Sequence, residues 1–300
     1  MGNISSGVLA AAVSNAGGLG TIGVGTLPLE EIDKQFEALQ AGTERPFCVN
    51  LPVSVHPDIY SVVEKVIERG VPVVSLSAGN PAPLIPRFKE AGIKVICVTA
   101  TVKQAQKAEQ AGADIIVCEG YEAAGINALN ESTTLTLVPQ IARSVQVPVV
   151  AAGGIGDGKG LAAALSLGAS GVQLGTRLIA TKEAPYHENY KEALLGATDE
   201  ATVIVGRPFN RIRRLLKTPG SIELLKMERE TDVSQELFLD KTDEKYHVLG
   251  AIQGNLEQGF INAGQIAGLI KEIPTVKALF ESMMSEAKQA LESATLGLEI

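Results

Sequence analysis

The chain of 300 residues has no tryptophan, 4% aromatic residues, three histidines and three cysteines. It also lacks any apolar run near the roughly 20 residues that a membrane helix needs. Each shortage excludes something. An odd cysteine count without a Cys-x-x-Cys pair rules out a disulfide or zinc framework and fits a reducing compartment. Cys48, Cys97 and Cys118 each sit inside an apolar run, the usual setting of a small buried hydrophobe, and no metal site is expected. Positive charge is short as well: 26 Lys and Arg against 34 Asp and Glu give a net charge of -8. That balance argues against nucleic acid or an anionic membrane as partner. Met1-Gly2 with Ser6 fits a myristoylation pattern, and Val8 to Val13 imitates a signal core. No charged segment precedes that stretch and a strand-like run follows it, so a cytoplasmic protein is expected.

What is present is a repeat. Apolar strand-like runs at 20–24, 46–51, 71–77, 94–99, 114–119, 147–152 and 171–175 alternate with segments of helical period. Several helices end at glycine: Gly70, Gly92, Gly112 and Gly168. Strands alternating with helices at this spacing mean parallel βαβ units, and wholly apolar strands mean burial on both faces. The expected fold is α/β, a (β/α)8-type barrel. Seven strands are legible where a closed barrel needs eight, and residues 1–6 read as a loop entering a helix, so the first strand looks absent. Three regions are expected: a barrel over 1–182, a mostly helical cap over 183–272, and a C-terminal helix packing back over 273–300. Within the cap, 183–217 reads as helical and 218–246 as a charged excursion. Arg207, Arg211, Arg213, Arg214 and Lys217 read more readily as a solvated face than as an anion grip.

Glycine marks the candidate site. The strand Val149-Val150-Ala151-Ala152 runs into Gly153-Gly154, and the next, Gly171-Val172-Gln173, runs into Gly175-Thr176. Two consecutive strands that open into glycine and then a helix offer oriented backbone N–H groups for a phosphate. In this barrel class the phosphate site follows strands 7 and 8. Gly18-Leu19-Gly20-Thr21-Ile22-Gly23 matches G-x-G-x-x-G, but a helix precedes it and a strand follows, the reverse of a dinucleotide fingerprint. A helix cap and turn explains it better. The long loop after the 114–119 run offers Glu119, Tyr121, Glu122 and Asn127, and no histidine. His56 follows the Asn50-Leu51-Pro52 strand end and reads as a loop histidine more readily than a catalytic one; His187 and His247 fall in the cap.

Residues 12–23, Asn50-Leu51, Ala78-Gly79-Asn80-Pro81, Glu119-Gly120-Tyr121-Glu122-Ala123, Ala151-Ala152-Gly153-Gly154-Ile155 and Gln173-Leu174-Gly175-Thr176-Arg177 resemble the nitronate monooxygenase family. Tyr190-Lys191 and Asn262-Ala263-Gly264-Gln265-Ile266-Ala267-Gly268 extend the likeness into the cap. The family, once called 2-nitropropane dioxygenase, includes the FMN-dependent enoyl-acyl-carrier-protein reductase II. The resemblance implies a barrel holding FMN. Its phosphate would rest on Gly153, Gly154, Gly175 and Thr176. Asn50, Glu119 and Gly120 would flank the ring, Ala78 and Gly79 would lie nearby, and Ala152 and Gln173 would also touch the cofactor.

Two departures bear on activity. Where the family has Glu-Ala-Gly-Gly-His, with the histidine as base or proton donor, this chain has Glu122-Ala123-Ala124-Gly125-Ile126. Isoleucine transfers no proton, which leaves Asn127, Glu122 and His56 as weak substitutes. A nitronate is already an anion and needs no base, whereas a neutral nitroalkane does. The family also opens with a strand and a glycine turn, and Met1-Gly2-Asn3 matches only the end of that turn. The expected function is therefore an FMN-dependent oxidoreductase oxidising alkyl nitronates with dioxygen. The alternatives are an NAD(P)H-dependent reductase of an enoyl thioester or quinone, and a weakly active flavoprotein short of its first strand. A homodimer is compatible with the family and is left open.

Overall fold

The computed structural model describes residues 2–4, 6–230 and 233–297. Met1 and Ser5 of the opening loop, Thr231 and Asp232 of the charged excursion, and the last three residues of the C-terminal segment lie outside the described residues. The seven apolar runs are seven parallel strands: β1 (Gly20–Gly23), β2 (Phe47–Pro52), β3 (Val73–Ser77), β4 (Lys94–Thr99), β5 (Ile115–Glu119), β7 (Val149–Ala152) and β8 (Gly171–Gln173). They are hydrogen-bonded in the order β1-β2-β3-β4-β5-β7-β8. The sheet curls as a barrel short of one strand, with β1 and β8 as its ends. A second, antiparallel sheet has the order β6-β10-β9, formed by β6 (Gly125–Ile126), β9 (Thr202–Val205) and β10 (Arg213–Leu216).

Because successive side chains of a strand point to opposite faces, each apolar run fills two compartments. Val49, Val74, Val95, Ile116 and Ala151 face outward into a core shared with Phe36, Phe88 and Leu137 of the surrounding helices. Cys48, Ile96, Val117 and Ala152 face the barrel interior. Cys97 and Cys118 belong to the outer core, so all three cysteines are buried and free. Burial pushes the thiols of Cys48 and Cys97 up to about 12 and that of Cys118 to about 11, which makes them poor nucleophiles. The helices stop where glycine was legible: Gly70 and Gly168 take φ of 62° and 99°, a region open to glycine at little cost.

Two helices cover the open side between β1 and β8. Helix Gly7–Asn15 is capped by Ser6 and lies on β1. The C-terminal helix Val276–Leu296 packs along helix Gly158–Ser166, placing Leu279, Met283 and Ala287 on Leu161 and Ala162. There Glu286 accepts a 2.9 Å hydrogen bond from Gly158 N–H, satisfying one of the orphan donors of that helix. No helix among the described residues is long and apolar enough to cross a membrane.

Two expectations for the cap need correction. Residues 183–217 are not one helical stretch: helix Glu188–Leu195 gives way to the β9–β10 hairpin, where the β-branched run Thr202-Val203-Ile204-Val205 favours a strand. Arg213 and Arg214 are not on a solvated face either. They lie on β10 at 7% and 4% exposure, buried against the barrel mouth.

The glycines of the 18–23 segment are explained by contact. A Cβ on Gly20 would sit 1.8 Å from the carbonyl oxygen of Ala10, so helix and strand approach through bare backbone. Gly20→Ala should therefore push helix Gly7–Asn15 off β1 and destabilise the protein by about 1–3 kcal/mol, the usual range for overpacking, read from urea unfolding. An unchanged urea midpoint would contradict that packing.

Candidate functional site

A cavity of about 1310 Å³ opens at the C-terminal ends of the strands and runs into the barrel interior. It is walled by the strand exits on one side and by the cap on the other. Asn50, Ala78, Gly79, Glu119, Gln173, Gly175 and Thr176, all expected around a cofactor, line it. Gly120 lines a small recess at the mouth of β5. Ala152, Gly153 and Gly154 are on neither wall. A Cβ on Gly153 (φ 98°) would lie 2.9 Å from the Gly120 carbonyl, and one on Gly154 would meet the Glu122 side chain. The β7 exit thus packs behind the loop that follows β5.

The β8 exit differs. A Cβ on Gly175 would meet nothing within 4 Å. Among the described residues, no acceptor meets the backbone N–H groups of Gly154, Gly175 or Thr176. Thr176 Oγ1 instead accepts from Gly264 N–H at 2.9 Å, tying β8 to the cap. Free backbone donors beside a bare, open glycine fit a phosphate group.

On the opposite wall, Asn50 is 3% exposed and donates through Nδ2 to Ser75 O (3.2 Å) and Ser77 Oγ (3.1 Å), which fixes its amide at the β2–β3 exit. Ala78 holds φ 48°, a left-handed conformation that costs a non-glycine residue roughly 1–2 kcal/mol. Its carbonyl accepts from Ser54 N–H at 3.0 Å. Burial pushes the Glu119 carboxyl up.

The three weak substitutes for a proton-transfer group have other engagements or none. Both carboxylate oxygens of Glu122 accept from Thr134 N–H (3.0 and 2.9 Å), capping helix Thr134–Ala142. His56 is buried; its Nε2 faces Leu27 O at 3.0 Å and its Nδ1 accepts from Asp58 N–H at 3.0 Å, so both nitrogens clamp a turn off the cavity wall. Asn127 does line the cavity: Nδ2 donates to Ala123 O at 3.2 Å, while buried Oδ1 has no partner. Ile126 is 54% exposed on the same wall.

The cap adds groups that the sequence did not single out as a site. Ile126 on β6 pairs with Arg213 on β10. Arg213 donates from Nη2 to Glu244 Oε1 at 3.0 Å, and Glu244 Oε2 faces His247 Nδ1 at 3.4 Å. The His247 ring lies parallel to Phe260, with centroids 5.6 Å apart. Asn262 Nδ2 is 3.1 and 3.2 Å from the two ring nitrogens, which places the amide over the ring face. Arg213, Glu244, His247 and Asn262 all line the cavity. Among the described residues, three buried side-chain polar atoms lack a partner: Asn127 Oδ1, Arg213 Nη1 and Asn262 Oδ1. All three belong to residues on this cavity wall. Glu244 and His247, three apart on one helix face, were the available sequence signal.

The electrostatics of this cluster are opposed and resolved. Burial alone would raise the Glu244 carboxyl, but the hydrogen bond with His247 and the charge of Arg213 win and hold it well below the usual carboxylate range. Burial pushes His247 below its ordinary 6.5, with Glu244 pulling the other way, so the imidazole is neutral at pH 7. Nearby, Tyr121 has Arg214 over its ring at 4.7 Å and Arg207 at 5.9 Å, and Arg214 donates to Tyr121 O at 3.0 and 3.1 Å. This clamps the loop after β5 to the cap.

A barrel-like parallel sheet with a capped cavity at the carboxyl ends of its strands is the architecture of a small-molecule enzyme. Comparison with known proteins narrows the class. The family model for nitronate monooxygenase matches residues 1–62 and 53–286, and the chain belongs to that family of oxidoreductases. It is 31% identical to a Mycobacterium tuberculosis protein, (3aS,4S,5R,7aS)-5-hydroxy-7a-methyl-1-oxo-octahydro-1H-indene-4-carboxyl-CoA dehydrogenase, over 100% of this chain and 94% of that one. Among solved structures, FabK from Thermotoga maritima superimposes with a TM-score of 0.94 at 40% identity, covering 99% of this chain and 94% of that one. Nitroalkane oxidase from Streptomyces ansochromogenes gives a TM-score of 0.83 at 26% identity, over 98% and 95% of the two chains.

Both Glu244 and His247 have pKa values lowered by folding, so the unfolded chain takes up protons first. The stability they confer is complete above about pH 6.5 and is lost as pH falls, His247 contributing first and Glu244 below its ordinary 4.5. The melting temperature should fall by several degrees between pH 7 and pH 5, and His247→Gln should flatten that slope. Calorimetry at a series of pH values checks this; an equal slope in the variant would contradict the assignment.

Proposed function

We propose that the protein is an FMN-dependent oxidoreductase that oxidises alkyl nitronates with dioxygen. The observation that supports this most is the unpartnered Nη1 of buried Arg213 on the cavity wall. A guanidinium nitrogen left without an acceptor costs stability unless a ligand meets it, and an anionic ligand meets it best. A nitronate is such an anion and needs no base.

Gly175 and Thr176 would hold the FMN phosphate through backbone N–H groups, with Asn50, Ala78, Gly79, Glu119 and Gln173 around the ring. When bound, FMN supplies the electron transfer between substrate and dioxygen. The protein orients the nitronate through Arg213, and the apolar barrel wall of Val98, Val117 and Val172 excludes water. The likeness to FabK at 40% identity supports a second reading, an NAD(P)H-dependent reductase of an enoyl thioester.

Anaerobic stopped-flow separates the two. Propionate 3-nitronate should bleach the flavin of the reconstituted protein within the mixing experiment, and NADH and NADPH should not. Bleaching by a nicotinamide alone would overturn the nitronate reading in favour of the reductase. The phosphate placement has its own test. Gly175→Leu puts a side chain into open cavity, so the protein should melt within a few degrees of the parent while losing FMN at least tenfold in affinity, read by fluorescence quenching. Retained affinity would contradict the placement.

A further inference from the structure

One carboxyl on the cavity wall comes from a barrel strand: Glu119, at the end of β5. Val117 faces the barrel interior, and Glu119, two residues on, points the same way. The strand register carries this level around the barrel. Glu119 pairs with Ala152 on β7, and Ala152 with Gln173 on β8. Glu119 and Gln173 therefore face the same space, beside the open Gly175 exit. Beneath them the layer of Cys48, Ile96 and Val117 is apolar. Among the described residues, no hydrogen-bond donor and no side-chain cation meets the Glu119 carboxylate. The titratable groups around it are engaged elsewhere. Cys118 points into the outer core, Glu122 caps helix Thr134–Ala142, and Tyr121 has Arg207 and Arg214 over its ring. Arg213, Glu244 and His247 pair with one another on the cap side. The flanking strand ends, Thr99-Ala100 and Ala152-Gly153, hold no titratable group. Burial raises the Glu119 carboxyl, and the charge that opposes this is that of the amino terminus.

We infer that Glu119 is a redox-linked proton acceptor, which takes up a proton when the cofactor beside it is reduced and releases it on reoxidation. The inference rests on the proposed placement of FMN and not on a nitronate as the substrate. Two electrons and one proton leave a neutral oxidised ring with a negative charge. A carboxylate without a donor or side-chain cation of its own, above an apolar floor, repels that charge with little solvent to screen it. A second proton therefore passes from solvent to Glu119. One O–H bond forms, the carboxylate becomes neutral, and the ring keeps its charge. Reoxidation by dioxygen withdraws the two electrons, and the repulsion that held the Glu119 proton is gone. With dioxygen alone as oxidant, the two electrons, the ring proton and the Glu119 proton make one hydrogen peroxide, so the step balances.

Spectroelectrochemistry of the FMN-reconstituted protein, with dithionite as reductant and no substrate present, counts the protons between about pH 5 and pH 9. One proton per two electrons moves the midpoint potential by about 30 mV per pH unit, and two protons move it by about 59 mV. The parent should show an interval of the steeper slope, bounded by the Glu119 titrations of the oxidised and the reduced protein. Both bounds should lie above the ordinary 4.5, because burial disfavours the charged form. Glu119→Gln should keep the shallow slope across that interval, and Glu119→Asp should restore a steep one. Reduction should also raise a protonated-carboxyl band in the infrared difference spectrum of the parent, a readout that needs no variant to fold. A shallow slope throughout in the parent, absence of that band, or a Glu119→Gln protein as steep as the parent would overturn the inference. A parent that binds no FMN would overturn the cofactor reading itself, and the inference with it.

Discussion

The sheet of seven parallel strands has two ends, β1 and β8, that do not pair with each other, and much of the rest of the molecule is arranged around that fact. Unpaired strand edges expose backbone donors and acceptors, and proteins cover them with helices or loops. Here helix Gly7–Asn15 is pressed onto β1 through the bare backbone of Gly20, and helix Val276–Leu296 lies along the helix that precedes β8. Because the barrel does not close, its interior is continuous with the space beneath the cap. That continuity makes one large cavity where a closed barrel would hold a packed core.

The cap shares an apolar core with helix Gly7–Asn15, and polar contacts between cap and barrel define the site. Thr176 accepts from Gly264, Arg214 holds the loop after β5, and β6 of that loop pairs with β10 of the cap. Each join brings polar groups together at the cavity wall. Glu244 is the centre of the cap cluster, with one oxygen on Arg213 and the other facing His247 and Asn3. A buried carboxylate with partners on both oxygens is stable; a lone one in the same place would not be. The charge pairing that keeps the cluster folded also leaves Nη1 of Arg213, on the cavity wall, without a hydrogen-bond partner among the described residues.

Much of the barrel was legible in the chain. Each apolar run became a parallel strand, and Gly70, Gly92, Gly112 and Gly168 ended helices, because strand period and left-handed glycine caps are local properties. The glycine exits were legible as bare backbone but not as a single wall. Gly153 and Gly154 proved to serve close packing against Gly120 and Glu122, while Gly175 faces open space. The residue string is alike in the two exits, and only the neighbours brought by folding separate them.

The cap was the part least readable. Arg213 looks like one member of a solvated basic run, and nothing local says that its neighbours Leu215 and Leu216 carry it into the interior. His247 and Glu244 lie more than 30 positions beyond it, and Asn262 15 beyond His247, too far for any periodic signal to join them. The sequence by itself determined the parallel α/β architecture, the family and the absence of a histidine at position 126. Tertiary structure alone decided which glycine exit faces the cavity and which charged side chains share its wall. Strands and caps are set by interactions within a few residues, whereas a buried polar cluster exists only once distant segments are packed together.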